Sequence, residues 1–155
     1  MATSMEHEWH MPDWWFRGKQ PPNDNAYFEN LSRVIFQAGL NWQVVDGKWS
    51  AIKDAFYDFN IKKAAALTDS DVAEMLKNPD LIRHKGKIQA IIQNAKNFLL
   101  IEKTYGSFAN YLNSLDKSDN YAKVIEDLKS KFRWLGDSSA ANFLYTVNEN
   151  ISMWG

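Results

Sequence analysis

The sequence predicts an all-α protein, a compact bundle of about seven or eight helices. From Ala26 onward, apolar residues recur every three or four positions, which is the spacing of one helix face, whereas the alternation typical of strands never lasts. Polar capping residues precede these segments, and Gly or Pro follows them. We expect one domain over residues 1–155, with an irregular, aromatic-rich segment at residues 1–24.

The first two predicted helices flank the segment IFQAGLNW, residues 35–42. The first begins at an N-cap at Asp24 or Asn25 and ends at Gly39, which leaves Leu40 at the apex of the connection. The second covers roughly Asn41 to Phe59. The apolar residues expected to face inward are Phe28, Leu31, Val34 and Ile35 in the first helix and Val44, Val45, Trp49, Ile52 and Phe56 in the second.

Six further segments have helical patterns. A short helix in IKKAAAL precedes one that Thr68 caps, with Asp71 three residues later and a stop before Pro79. The longest amphipathic segment is GKIQAIIQNAKNFLLIEKTYG, Ser107 opens the next helix, and another covers about residues 121–131. The last segment, FRWLGDSSAANFLYTV, is typical of a turn between two helices.

Composition excludes several classes of protein. The net charge is −1, so the chain is not a uniformly basic protein that binds nucleic acid by charge alone. Any binding to nucleic acid therefore requires a local basic patch. The absence of cysteine excludes disulfides, a thiol nucleophile and cysteine-ligated zinc. No signal peptide or membrane-spanning run is present. We therefore expect a cytoplasmic protein with no membrane partner.

No metal or cofactor site is predicted. His7 and His10 lie close together, but His84 is far away in the chain and no paired acidic ligand motif accompanies them. The fingerprints of phosphate-binding loops, dinucleotide-binding folds and serine hydrolases are also absent.

Tryptophan is unusually frequent, with seven residues in the chain. Large indole rings can fill a small core, or they can line a pocket for a flat ligand. The sequence leaves both interpretations open for each tryptophan.

Two segments could bind a phosphate group. In WLGDSSAANFL, Gly136 permits a sharp hairpin, and Ser138 or Ser139 begins a helix whose free amide groups suit an anion; Asp137 could instead be an ordinary N-cap. In LIRHKGKI, basic residues gather at a helix start, against the helix dipole, which indicates a polyanionic partner or a solvated loop. These basic residues are Arg83, His84, Lys85 and Lys87.

Three segments together resemble the DNA-3-methyladenine glycosylase I family of helix-hairpin-helix glycosylases. They are YFENLSRVIFQAGLNW, LIRHKGKIQAIIQNAKNFL and FRWLGDSSAANFL, which occur in the order found in that family. The resemblance covers about residues 27–147. It implies a monomer that binds double-stranded DNA with a damaged base, extrudes an alkylated purine of the 3-methyladenine type and hydrolyses its N-glycosidic bond.

The resemblance also implies roles for individual residues. Trp42, Trp9 and Val34 would line the base pocket, with Trp14 or Trp15 as a further wall, and Leu40 would fill the gap that the extruded base leaves in the duplex. Gln37 and Gly39 would accompany Leu40 as the DNA wedge. The residues expected to hold the DNA backbone are Gly136, Ser138, Ser139, Arg83, Lys85 and Lys87.

The chain departs from the family at two places. Val34 lies where the family has a pocket glutamate that hydrogen-bonds the damaged base, so the catalytic group is unknown, and Glu29 is the nearest candidate. The cysteines of the family's zinc site are missing. Three hypotheses follow. The chain is an enzyme that still excises a labile base, a non-catalytic helix-hairpin-helix protein that binds damaged or abasic DNA, or a helical protein whose aromatic pocket binds a different small ligand and which has no affinity for DNA.

Overall fold

The computed structural model describes residues 10–153, which form eight α-helices and one short 3-10 helix at Tyr57–Phe59, with no strand. The all-α prediction is therefore confirmed. The helices are α1 Asp24–Gln37, α2 Trp42–Ala55, α3 Ile61–Ala65, α4 Asp69–Lys77, α5 Lys85–Tyr105, α6 Phe108–Asn113, α7 Ser118–Lys131 and α8 Asp137–Thr146. None of these described helices is long and apolar enough to span a bilayer.

Helices α1 and α5 form the centre of the bundle. α5 contacts α1, α3, α4 and α6, while α1 also contacts α2 and α8. Aromatic rings join the two central helices: Phe28 of α1 packs edge-on against Phe98 of α5, with ring centroids 5.5 Å apart. All eight helices contribute to this one hydrophobic core. The core holds α1 and α8 at a fixed distance from each other.

The N-cap of α1 is Asn23, one residue earlier than predicted. Its side-chain oxygen accepts a hydrogen bond from the amide of Ala26 at 3.0 Å. The two predicted caps hold other parts of the chain: the Asp24 carboxylate accepts from the amide of Phe108, and the Asn25 oxygen accepts from the amide of Ile61. The side chains of Asp24 and Asn25 therefore make long-range hydrogen bonds instead of capping α1.

Helix α2 ends at Ala55, earlier than predicted, because the backbone leaves the helical region. The φ angles of Tyr57, Asp58 and Phe59 are 55°, 55° and 54°. This turn stacks the ring of Phe59 on that of Trp49, with centroids 5.2 Å apart. The prediction that Val44 faces inward is wrong, since its side chain is exposed near the start of α2.

Residues 10–23 have no helix or strand and lie across α1 and α8. The amide of Phe16 donates to the carbonyl of Thr146 at 2.7 Å, and the Asn30 side-chain amide donates to the carbonyl of Trp14 at 3.1 Å. We call residues 12–18 the N-terminal arm. Its contacts join the first described residues to the last helix.

Candidate functional site

A cavity of about 560 Å³ lies between the N-terminal arm, α1, the start of α2 and α8. Its volume is in the range of sites that hold small organic ligands. Aromatic side chains form most of its walls, and amide and hydroxyl groups supply the polar contacts. The residues that line it are Trp14, Trp15, Val34, Gln37, Trp42, Asn142, Tyr145, Thr146 and Met153.

The N-terminal arm holds two of the aromatic walls in place. Arg17 Nη1 donates to the carbonyls of Tyr145 at 3.0 Å and Glu149 at 2.7 Å, and its guanidinium lies 4.2 Å from the ring centroid of Tyr145. Trp15 packs edge-on against the same Tyr145 ring, at 5.5 Å between centroids. Because Trp14 and Trp15 are adjacent in the arm, docking the arm on α8 places both indoles at the cavity.

Helix α1 supplies Val34 and Gln37, which lie three residues apart and therefore on one helix face. Val34 and Trp42, both predicted as pocket residues, thus meet in one cavity. Gln37 was predicted to enter the duplex with Leu40. The structure contradicts that prediction, because the Gln37 side chain is buried and lines the cavity.

None of the described residues that line the cavity carries a carboxyl group. Glu29, the candidate catalytic residue, is not among them: it accepts a hydrogen bond from Trp49 Nε1 at 2.9 Å and lies 3.5 Å from Lys53 Nζ. The Glu29 carboxylate therefore holds α1 to α2, and the candidate role is wrong for this arrangement. Asp46 pairs with Arg33 instead of reaching the cavity.

The loop between α1 and α2 forms the edge of the cavity. Gly39 has a φ of 76°, a conformation that glycine adopts without strain, so α1 stops abruptly. Leu40 follows with 39% of its surface exposed, and Trp42 is 46% exposed although its ring lines the cavity. Leu40 is therefore exposed at the apex of the loop, as the helix-stop signal at Gly39 predicted, and Trp42 is exposed beside it.

Lys87 does not lie where a phosphate contact requires it. It is only 3% exposed, and its ammonium group donates to the carbonyls of Phe36 at 3.2 Å and Ala38 at 2.6 Å. The predicted phosphate role is wrong for this residue, because its charge is used at the carboxyl end of α1. Arg83 and Lys85 are exposed and form no ion pair with another described residue.

The hairpin between α7 and α8 differs from its prediction in one respect. Gly136 is extended, with φ −97° and ψ −178°, whereas Trp134 has the left-handed φ of 62°. The sharp turn therefore depends on Trp134. Gly136 is the N-cap of α8, and no side chain caps this helix start. The amides of Ser138 and Ser139 lie in the first turn, and Asp137 pairs with Lys129 at 2.8 Å instead of capping the helix.

Comparison with known proteins agrees with this arrangement. The family model for methyladenine glycosylases matches residues 2–140. The chain belongs to the methyladenine glycosylase family. The resemblance predicted from the sequence is thereby confirmed.

Two curated relatives are similar to most of this chain but only to part of their own length. The DNA-3-methyladenine glycosylase of Haemophilus influenzae is 32% identical over 123 residues, which is 79% of this chain and 65% of that protein. DNA-3-methyladenine glycosylase 1 of Escherichia coli is 32% identical over 107 residues, or 69% of this chain and 53% of that protein. The chain thus spans less than two thirds of the length of these relatives.

A solved structure of the same family has a similar fold. It is a mutant of 3-methyladenine DNA glycosylase I in complex with 3-methyladenine, with a TM-score of 0.75 and 27% identity over 90% of this chain and 84% of that chain. The predicted pocket residue Trp9 and the histidine His7 lie outside the described residues. Within residues 10–153, no three His, Asp or Glu side chains come together as a metal site.

The sequence prediction missed the α8 wall of the methyladenine glycosylase cavity. Asn142, Tyr145 and Thr146 have the i, i+3, i+4 spacing of one helix face, so the pattern indicated that they lie together. It did not indicate which face of α8 the N-terminal arm covers. Met153 lies beyond the last helix, where no periodic pattern exists.

Proposed function

We propose that this protein is a DNA N-glycosylase that acts as a monomer on double-stranded DNA and excises an alkylated purine of the 3-methyladenine type. The observation that carries the proposal is the aromatic cavity with the exposed Leu40 at its edge. A flat base extruded from a duplex needs stacking surfaces, and the gap it leaves needs an apolar filler. The 3-methyladenine bound to a structural relative supports the same substrate class.

In this proposal, the base enters between the rings of Trp14, Trp15, Trp42 and Tyr145. These rings stack on the purine, and their negative faces attract the positive charge that alkylation places on it. Gln37, Asn142 and Thr146 offer amide and hydroxyl groups to the edges of the base.

The reaction relies on the leaving group. Water adds to C1′ of the deoxyribose while the bond from C1′ to the purine nitrogen breaks. The bonding electrons neutralise the base, and a proton from the water passes to solvent. Because no carboxyl group lines the described cavity, the positive charge of the base itself provides the driving force, and the protein contributes stacking, orientation and shape.

The test is a single-turnover reaction with excess protein on DNA methylated at purine nitrogens, followed by chromatography of the released bases. We expect free 3-methyladenine above the level released without protein. Absence of any released base above that level would overturn the proposed activity. Heat-inactivated protein serves as the control for spontaneous loss of the labile base.

A second candidate function is favoured by one observation. Val34 lies at the cavity where the family resemblance places a glutamate, and the described lining has no other carboxyl group. A helix-hairpin-helix protein that binds damaged or abasic DNA without cutting the glycosidic bond would keep the cavity and the hairpin. It would bind abasic DNA in a salt-dependent way and release no base in the same reaction.

A further inference from the structure

Trp134 is an exposed aromatic residue that the fold holds in one position. Half of its surface is exposed, and its backbone has the left-handed φ of 62° in the hairpin between α7 and α8. A bulky residue is rarely found in that conformation, which costs free energy unless neighbouring contacts enforce it. The imidazole of His84 packs against the indole, with ring centroids 5.0 Å apart and planes at 80°.

Gly86 makes room for the Trp134 ring. A Cβ atom at residue 86 would lie 2.8 Å from Cζ3 and 3.0 Å from Cη2 of the indole, so the ring would have to move. Only glycine therefore lets the ring rest on the first turn of α5. Glycine inside a helix normally reduces stability relative to alanine. The close approach accounts for its presence at this position.

The backbone beside Trp134 is also fixed. Asn94 is completely buried in α5, and its side chain accepts from the amide of Arg133 at 2.8 Å and donates to the carbonyl of Arg133 at 3.2 Å. Asn97 donates to the carbonyl of Lys131 at 2.6 Å. Two asparagines of α5 thus hold the start of the hairpin, so the exposed indole is pre-organised before any partner arrives.

A groove of about 620 Å³ lies beside the ring, and its described lining has no acidic residue. The chain between Asp80 and Glu102 is likewise free of acidic residues, while Arg83 and Lys85 stand exposed at the start of α5. The groove is therefore complementary to a negatively charged partner. It is lined by Gly86, Gln89, Ala90, Gln93, Arg133 and Trp134.

The same turn of α5 connects this groove to the cavity edge. Lys87 follows Gly86 directly, and its ammonium group holds the carbonyl of Ala38, two residues before the exposed Leu40. A DNA strand that meets Leu40 therefore has the groove within reach along the first turn of α5. The two exposed aromatic sites are distinct, because Trp134 lines the groove and Trp42 lines the cavity.

We propose that this groove binds one nucleotide of the DNA near the damaged site, with its base or deoxyribose against Trp134 and its phosphate paired with Arg133. The proposal rests on the proposed function for the presence of DNA, but it concerns a second contact outside the base cavity. A deoxyribose, or a base that the lesion leaves unstacked, packs on an indole whatever the sequence, so the contact strengthens binding without selecting the lesion. Arginine adds a charge-assisted hydrogen bond to the phosphate.

The test compares Trp134→Ala with Tyr57→Ala, a matched control. Tyr57 is 52% exposed and has a φ of 55°, so the control removes an aromatic residue of similar exposure and backbone conformation outside the groove. We expect Trp134→Ala to weaken binding of a duplex with an abasic site by about tenfold, measured by fluorescence anisotropy. Tyr57→Ala should change the affinity by less than about twofold.

Two further measurements separate a DNA contact from a structural role. Free 3-methyladenine should bind Trp134→Ala as it binds the wild type, since the cavity is intact. In an NMR titration, the indole N–H signal of Trp134, assigned by its loss in Trp134→Phe, should shift with the abasic duplex and not with free 3-methyladenine. Gly86→Ala, which displaces the ring, should weaken duplex binding in the same way.

Unchanged duplex affinity in Trp134→Ala together with an unmoved indole signal would overturn the groove proposal, even if the wild type excises bases. Conversely, the wild type could release no base while Trp134→Ala still weakens duplex binding tenfold. That result would overturn the proposed activity and support the groove proposal. A wild-type protein without affinity for DNA would overturn both.

Discussion

The Nζ atom of Lys87 lies 2.6 Å from the carbonyl oxygen of Ala38, and this hydrogen bond joins the start of α5 to the end of α1. A second bond to Phe36 places the positive charge at the negative end of the α1 dipole. Burial lowers the pKa of Lys87 from its ordinary value. The two hydrogen bonds from Lys87 fix the backbone directly before Gly39 and Leu40.

Replacing Lys87 by methionine should lower the free energy of unfolding by about 2 kcal/mol, because two carbonyls lose a charged donor. Urea denaturation measures this loss. Lys85→Met is the matched control. Since Lys85 is exposed, the free energy of unfolding of Lys85→Met should change by less than about 0.5 kcal/mol.

The affinity of Lys85→Met for DNA should instead fall. The slope of log affinity against log salt concentration should become smaller by about one, as expected for the loss of one phosphate contact. Equal effects of the two substitutions on stability would contradict this division of roles.

Leu40→Ala should leave the fold nearly unchanged, because the side chain is exposed at the loop apex and is not part of the hydrophobic core. Affinity for a duplex with an abasic site should fall by about tenfold, since the gap left by an extruded base loses its filler. Leu100→Ala, on an exposed face of α5, is the control and should affect neither quantity. A thermal shift of several degrees for Leu40→Ala would instead make Leu40 a core residue.

Trp42→Ala should weaken binding of free 3-methyladenine by about tenfold, as expected for the loss of a stacking surface. Its free energy of unfolding should fall by less than about 1 kcal/mol, because the indole is half exposed. Trp49→Ala provides the contrast. Trp49 is buried and its Nε1 donates to Glu29, so its loss should cost about 3–5 kcal/mol. Calorimetric titration and chemical denaturation give the two quantities; a Trp42→Ala protein with unchanged affinity would exclude the indole from the site.

Val34→Glu should place a carboxylate in the cavity and increase the single-turnover rate of 3-methyladenine release by at least about tenfold. The negative charge would stabilise the positive charge that develops on the deoxyribose. Val34→Gln, of similar size and without charge, should give no increase. Both substitutions bury a polar group and should lower stability by about 2 kcal/mol. If glutamate and glutamine have the same effect on the rate, a charge at this position is not what limits the reaction.

Glu102 should make stability depend on pH. Burial raises its pKa from the ordinary value of 4.5 to about 7, and the neighbouring Asp24 adds to the shift. The folded chain therefore holds this proton to higher pH than the unfolded chain. Stability should accordingly fall as the pH rises from about 4.5 to about 7. Denaturation midpoints across this range measure the effect.

Glu102→Gln should remove this part of the pH dependence and, above pH 7, raise the free energy of unfolding by about 1 kcal/mol. Glu126→Gln, at an exposed position of α7, is the matched control and should follow the wild-type curve. The explanation fails if Glu102→Gln keeps the wild-type decline between pH 4.5 and 7.

Much of the fold could be predicted because its signals are local. Thr68 forms a capping box with Asp71, and Gly39 is left-handed at the end of α1, as their positions in the sequence indicated. Both features depend on residues within one turn of each other. The helical periodicity likewise reflects burial on one face, which a sequence displays directly.

Site residues were less predictable because a side chain's role depends on distant parts of the chain. Lys87 belongs to a basic cluster in the sequence, and only the position of α1 explains why its charge is buried. Gln37 adjoins the exposed loop, but it is still on the inner face of α1. In the sequence, Trp134 is one of seven tryptophans, and only the three-dimensional structure shows its support by Gly86.

The N-terminal arm makes the cavity depend on contacts between the two ends of the described chain. Gly18 donates its amide to the side chain of Asn148 across 130 residues of sequence, beside the contacts of Arg17 with the end of α8. Closing so long a loop costs more entropy than local pairing, so we expect these contacts to form after the local helices and the pairing of α3 with α5. During synthesis, the helical body should thus appear before the cavity does. We therefore expect the cavity to be the last feature that the folding chain completes, and the first that mild denaturation removes.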